Sequence, residues 1–160
     1  MCRKINISIL FLLALAFSCK KADKTETKLQ GTWERVVFNH NGTEQWTFTP
    51  ENNLYVTLSL PGMHTLDGGL IDGDTVCSGT YSVKIVHYKH GVFLNKNIFN
   101  VPEITIDGLI NYKYAGGNMD FTAYNTLWQV HKLNATELII TTDLYNNLPG
   151  GLEQREFYKQ

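Results

Sequence analysis

The sequence predicts an all-β domain of about eight antiparallel strands closing into an up-and-down barrel, carried behind an N-terminal export segment. Period-two alternation is the first sign: Leu54-Tyr55-Val56-Thr57-Leu58-Ser59-Leu60 puts four aliphatic side chains on one face and Tyr, Thr and Ser on the other. Turn-forming clusters then separate such runs at short, regular intervals. Finally, no long stretch beyond the export segment carries a helical apolar stripe. Strands of this number and spacing suit a sandwich or a barrel, and the barrel is preferred because closure removes the unpaired strand edges through which open sheets aggregate.

Size and charge narrow the function classes. A chain of 160 residues fits one domain. Its 14 basic and 15 acidic side chains leave a net charge of −1, without the basic stripe of a nucleic-acid binder. With 12% aromatic and only 18% charged residues, the composition is that of a packed chain rather than a disordered one.

In chain order, residues 1–18 read as a signal peptide. Arg3 and Lys4 form a positive start, and Ile5 to Phe17 an apolar stretch interrupted by Asn6 and Ser8. That stretch falls short of the roughly 20 residues a spanning helix needs. Ser18-Cys19 resembles the cleavage site of a bacterial lipoprotein, with Cys19 as the acylated first residue of the mature chain; the alternative is an ordinary secretory signal ending beside a cysteine. Residues 19–28 are then the lipidated Cys and a flexible tether, Lys20-Lys21-Ala22-Asp23-Lys24-Thr25-Glu26-Thr27-Lys28, reaching roughly 15–20 Å by random-coil scaling. The domain occupies 29–160. Of the three cysteines, Cys2 leaves with the signal and Cys19 carries lipid, so Cys77 has no internal disulfide partner. Val76, Ser78 and Gly79 give it no basic neighbour, and it is expected in the core.

Strands are expected over 31–38, around Trp46 and Phe48, over 54–60 and 80–85, then 97–106, 119–133 with a break near Asn125, 137–142 and 153–159. Asn41-Gly42 suits a type I′ hairpin, and Pro50-Glu51-Asn52-Asn53, Gly116-Gly117-Asn118 and Pro149-Gly150-Gly151 mark further turns. The stretch 61–75, rich in Gly and Asp, reads as a long solvated loop over one mouth, suited to act as a lid.

Gly31-Thr32-Trp33 opening the first strand resembles the Gly-x-Trp start of lipocalins. With Trp46-Thr47-Phe48-Thr49, Gly79-Thr80-Tyr81-Ser82-Val83, Trp128 to Leu133 and Glu137 to Thr141 following in order, the chain is similar to the lipocalin-like lipoproteins of Bacteroidetes, a calycin-like barrel. The resemblance implies that Gly31, Trp33 and Arg155 close the barrel, with Arg155 packed over Trp33. It also implies an interior able to hold a small ligand, since eight strands enclose about that much space.

Inward candidates are Trp46, Phe48, Leu54, Val56, Leu58, Tyr81, Val83 and Trp128, with Ala123 and Gly79 small enough to leave room. The ligand-contact set is Arg35, Trp46, Phe48, Val56, Tyr81 and Trp128. Arg35 shares the face of Trp33 two residues earlier, and either meets an anionic ligand group, stands in water at a bulge or the barrel rim, or pairs with a neighbouring Asp or Glu. His87 and His90 would point to opposite faces of a strand, and Asp67, Asp72 and Asp74 lack the spacing of an EF-hand loop, so no metal or other cofactor is expected. The chain has no Gly-x-Ser-x-Gly elbow, phosphate-cradling Gly loop or His-Glu-x-x-His, and no catalytic residue is named. The expectation is a monomeric, non-enzymatic lipoprotein of a Gram-negative outer membrane. Its partners would be the bilayer through Cys19 and a small apolar or amphipathic ligand. The alternative is a scaffold whose filled barrel binds an envelope protein or glycan.

Overall fold

A computed structural model of the chain describes residues 22–37, 41–86, 100–143 and 152–160. The signal region with Cys19, the His87 and His90 pair and the Pro149-Gly150-Gly151 turn lie outside the described residues. The described residues form ten strands: β1 (Gly31–Val37), β2 (Gly42–Phe48), β3 (Asn53–His64), β4 (Leu70–Val86), β5 (Val101–Asp107), β6 (Asn111–Tyr114), β7 (Gly117–Asp120), β8 (Leu127–Leu133), β9 (Glu137–Asp143) and β10 (Leu152–Lys159). Eight of them close a barrel in the order β1-β10-β9-β8-β5-β4-β3-β2, with every neighbouring pair antiparallel. The expected all-β, eight-stranded barrel is the architecture found.

The core follows the period-two pattern. On β2, Gly42, Glu44, Trp46 and Phe48 point inward; on β3, Leu54, Val56, Leu58 and Leu60 do so. Tyr81, Ile104, Ile106, Trp128, Leu138, Ile140 and Phe157 complete the packed interior, and Cys77 is buried among them. Burial pushes the Cys77 thiol up to about 12, as befits a core side chain. Val83 packs against this core while only partly buried.

One end is closed by a helix that the polar composition of the tether concealed. Residues 22–29 form α1, with Thr25 and Leu29 buried at a spacing of four. Two residues make too short a stripe to register as amphipathic; the barrel end supplies the other half of the contact. Lys28 in the last turn suits the helix dipole, and Thr27 donates a side-chain hydrogen bond to the Asp23 carbonyl. The part of the expected flexible tether that is described, residues 22–28, is therefore helical.

Trp33 sits above α1, fully buried, its indole N–H donating to the Leu29 carbonyl at 2.5 Å. The cation over its ring is Lys159, with Nζ 4.3 Å from the ring centroid, rather than Arg155. The register explains the change: Trp33 pairs with Lys159, whereas Arg155 pairs with Ile140 further up the barrel. Gly31 belongs to the same closure. It has φ +109°, and a Cβ there would lie 2.5 Å from Lys159 Nζ.

The stretch 61–75 is mostly strand, not loop. β3 continues to His64 and β4 starts at Leu70, so the two form an arm that projects past the barrel. Extra residues conceal the alternation. Val56 pairs with Cys77 and Thr57 with Thr75, leaving Val76 over; Leu58 pairs with Asp74 and Ser59 with Asp72, leaving Gly73 over at φ +79°. Each bulge resets the phase of a period-two pattern. Asp67 and Asp74 are used within this arm, accepting hydrogen bonds from Thr65 and from the Asp72 N–H.

The second difference lies in 108–126. Gly117 to Asp120 pairs with Asn111 to Tyr114 as a separate two-stranded hairpin instead of continuing a barrel strand. A single 3-10 turn at Thr122–Tyr124 follows before β8 begins. Ala123 lies exposed on that turn and does not face the interior. Nor does Gly79 leave room: a Cβ there would strike the Asp107 carbonyl oxygen and crowd Leu109. Gly42 is likewise a close-approach residue, lying within the strand without positive φ, where a Cβ would meet Leu60 Cδ2 at 2.7 Å. It therefore does not sit in the type I′ conformation expected of Asn41-Gly42.

Candidate functional site: the barrel mouth

At the end opposite α1, the segment 119–124 folds back over the tops of β1, β2 and β3. Between them lies a cavity of about 400 Å³, lined by Arg35, Val37, Glu44, Leu58, Met119 and Phe121, with Val36, Asp120 and Tyr124. Such a volume falls in the range of small-molecule sites. The capping segment is fixed at its neck by one side chain. Asn125 accepts the Leu109 N–H at 2.8 Å and donates to the Leu109 carbonyl at 2.7 Å, closing the excursion like a clasp. Its hairpin also meets the β3–β4 arm, through the Ala115 N–H donating to the His64 carbonyl.

Beneath the cavity lies a network of four charges. Glu44 Oε1 accepts Arg155 Nη1 at 2.5 Å and the Trp46 indole N–H at 2.6 Å, while Oε2 accepts Arg35 Nη2 at 3.0 Å. Arg155 Nε donates to Glu153 at 2.5 Å. The Arg155 guanidinium is 1% exposed and lies 3.8 Å from the centroid of Tyr124, with Trp46 and Trp128 at 5.3 and 5.6 Å. The innermost charge and the cap are thus stacked on each other.

Burial alone would push the Glu44 carboxyl up. The Arg155 and Arg35 charges, with hydrogen bonds from Arg35 and Trp46, outweigh it and hold the group below its ordinary value. Burial likewise works against the Arg155 charge, and Glu44, Tyr124 and Glu153 more than offset it. Both groups are charged at neutral pH. Two arginines face two glutamates, so the network is neutral as a whole.

Of the six ligand contacts expected from sequence, Arg35 stands on this cavity wall. Of its alternative readings, the pairing with a neighbouring carboxylate is the one observed: Arg35 meets Glu44 on the adjacent strand. Trp46, Phe48, Val56, Tyr81 and Trp128 are buried core residues below that wall. Glu44, Tyr124, Phe121 and Met119 went unnamed in the sequence reading. Glu44 did carry a signal, as a carboxylate on the same face as Trp46 and Phe48 in an otherwise apolar row. The cap residues carried none, since a short polar hairpin and one 3-10 turn look like loop. Among the described residues, no three His, Cys, Asp or Glu side chains gather as a metal site. Compared with family models, curated proteins and solved structures, the chain matches none. The closed, eight-stranded antiparallel barrel is compatible with a lipocalin-like fold.

Proposed function

We propose that the chain is an envelope lipoprotein, anchored through acylated Cys19, whose barrel mouth binds a small amphipathic molecule without transforming it. The observation that carries this is the cavity at the mouth: apolar walls from Leu58, Val37, Met119 and Phe121 beside a largely buried cation, Arg35, 22% exposed. The export segment and Ser18-Cys19 support the anchor and an outer-membrane address. The packing of residues 22–29 on the closed end supports an anchor on that side, with the mouth left for ligand. Ligand occupies the mouth alone in this reading, since the lower barrel is filled by Trp33, Trp46, Phe48, Trp128 and Phe157.

Native mass spectrometry of the chain isolated from its own envelope tests this reading. A stoichiometric occupant that leaves on denaturation is expected, together with loss of metabolic palmitate label in Cys19→Ala. A barrel that stays empty after incubation with envelope lipids overturns the carrier role. That outcome favours the scaffold reading, which has its own supporting feature in Leu66 (70% exposed) and Leu70 (59% exposed) on the β3–β4 arm.

A further inference from the structure

We infer that Asp107-Gly108 is a site of spontaneous backbone isomerisation, and that the product loosens the cap over the mouth. Four Asx-Gly pairs occur in the chain: Asn41-Gly42, Asp67-Gly68, Asp72-Gly73 and Asp107-Gly108. A glycine after Asn or Asp lets its backbone nitrogen reach the preceding side-chain carbonyl carbon, because no Cβ stands in the way. The structure separates the four by where that nitrogen points. The Gly68 N–H is held by the Thr65 carbonyl at 3.1 Å, and the Gly73 N–H by Ser59 Oγ at 2.9 Å. Gly42 is buried in β2, hemmed by Leu60 and the Ser59 carbonyl. The Gly108 N–H instead points at the preceding carboxyl, 2.8 Å from Asp107 Oδ1, and both residues are exposed. The carboxyl carbon lies one bond beyond that oxygen, so nucleophile and electrophile are already neighbours.

Reaction starts from the protonated Asp107 carboxyl. Gly108 N bonds to Cγ, and the amide proton leaves with the carboxyl hydroxyl as water, closing a succinimide. Solvent water then reopens the ring at one of its two carbonyls. Cleavage at Cγ restores aspartate. Cleavage at the α-carbonyl leaves the chain running through Cγ, one methylene longer, with a free α-carboxylate. The water lost in the first step is regained in the second, and nothing is oxidised. Position gives the change its effect. Asp107 ends β5, with its carbonyl packed so closely on Gly79 that no Cβ would fit between them. Two residues on, Leu109 has both its N–H and its carbonyl held by Asn125. The added methylene is therefore taken up on the Leu109 side, and the clasp that fixes the cap's neck gives way.

Incubation of the full chain at pH 6 in water enriched in oxygen-18 tests the assignment, because each passage through a succinimide leaves one heavy oxygen. Electron-transfer fragmentation of the peptides locates both the label and the isoaspartate. A urea-unfolded sample gives each site its unrestrained rate, and near-ultraviolet circular dichroism checks that the other sample stays folded. Residue 107 is expected to label in the folded chain at its unfolded rate or faster. Residues 67 and 72 are expected to be slowed roughly ten-fold by folding, the factor one intact hydrogen bond supplies. Folding that protects residue 107 as much as residues 67 and 72 overturns the assignment. Hydrogen exchange over 109–124 is expected to be faster in the aged chain than in the fresh one. Asp107→Glu, which would have to close a six-membered ring, is expected to exchange alike before and after ageing. Equal exchange in the fresh and aged parent chain, once isoaspartate has formed at 107, overturns the effect on the cap.

Discussion

Both ends of the barrel stack a cation against tryptophan, yet they satisfy the polar atoms involved in different ways. At the closed end the partners are backbone groups: the Trp33 N–H goes to the Leu29 carbonyl, and Lys159 Nζ donates to the Gln30 carbonyl while covering the indole ring. A single charge suffices there. At the mouth the Trp46 N–H goes to a carboxylate, and that carboxylate holds two arginines. Buried ion pairs are a poor source of stability, because desolvation cancels most of the Coulomb gain. The closed end shows that this fold can seat a tryptophan without one. A network of four charges beside a cavity therefore calls for a reason other than stability, and the binding role proposed for the mouth supplies it.

The largest expected effect tests the closed end as a purely structural device. Trp33→Ala removes a fully buried side chain together with the lid that Lys159 forms on it, and should cost about 4 kcal/mol by denaturant unfolding. Ligand affinity of the fraction that folds should be unchanged. An equal loss of affinity in folded protein would mean that the two ends are coupled, and the division drawn above would fail.

Glu44→Gln breaks the mouth network instead. It leaves Arg155, 1% exposed, with Glu153 as its remaining carboxylate, and should cost about 3 kcal/mol. The pH dependence carries a sign that a generic core mutation would not reproduce. The Glu44 carboxyl is held below its ordinary value of 4.5 in the folded state, so its contribution is complete above that value and disappears as pH falls through the lower, folded one. Stability measured from pH 6 downward should therefore fall less steeply in Glu44→Gln than in the parent chain. Parallel slopes in the two proteins would show that the carboxylate is not held as the geometry implies.

The same comparison explains what was legible in the sequence. The strands were readable because Trp46 to Phe48 and Leu54 to Leu60 alternate without interruption, and closure was preferred to a sandwich because it leaves no exposed edge. The closed end was half readable. Gly31 and Trp33 stand where the opening motif implies, but the covering cation depends on a register that puts Lys159, not Arg155, opposite Trp33. The mouth was least readable, because two bulges at Val76 and Gly73 and a detached hairpin at 111–120 interrupt the periodicity that makes strands visible. Arg35 was found from its phase relative to Trp33. Tyr124 reaches Arg155 only through the tertiary path of the cap, which no local pattern encodes.

The cap gives the smallest effect and the sharpest distinction between the two ends. Asn125 fixes its neck with two hydrogen bonds to Leu109, and Asn125→Ala should cost about 1–2 kcal/mol. Because the cap's hairpin is a sheet separate from the barrel, that loss should be local rather than global. Hydrogen exchange should accelerate over 109–124, while the amides of β1 and β10 around Trp33 keep their protection. A ligand carried from the envelope should then both enter and leave faster, because the variant loosens the wall through which it exchanges and alters no group that attracts it. Uniform acceleration across the barrel would instead make the cap part of the barrel's cooperative core. The mouth would then share the closed end's rigidity, and a cavity bounded by such a cap would lose its simplest route for ligand exchange.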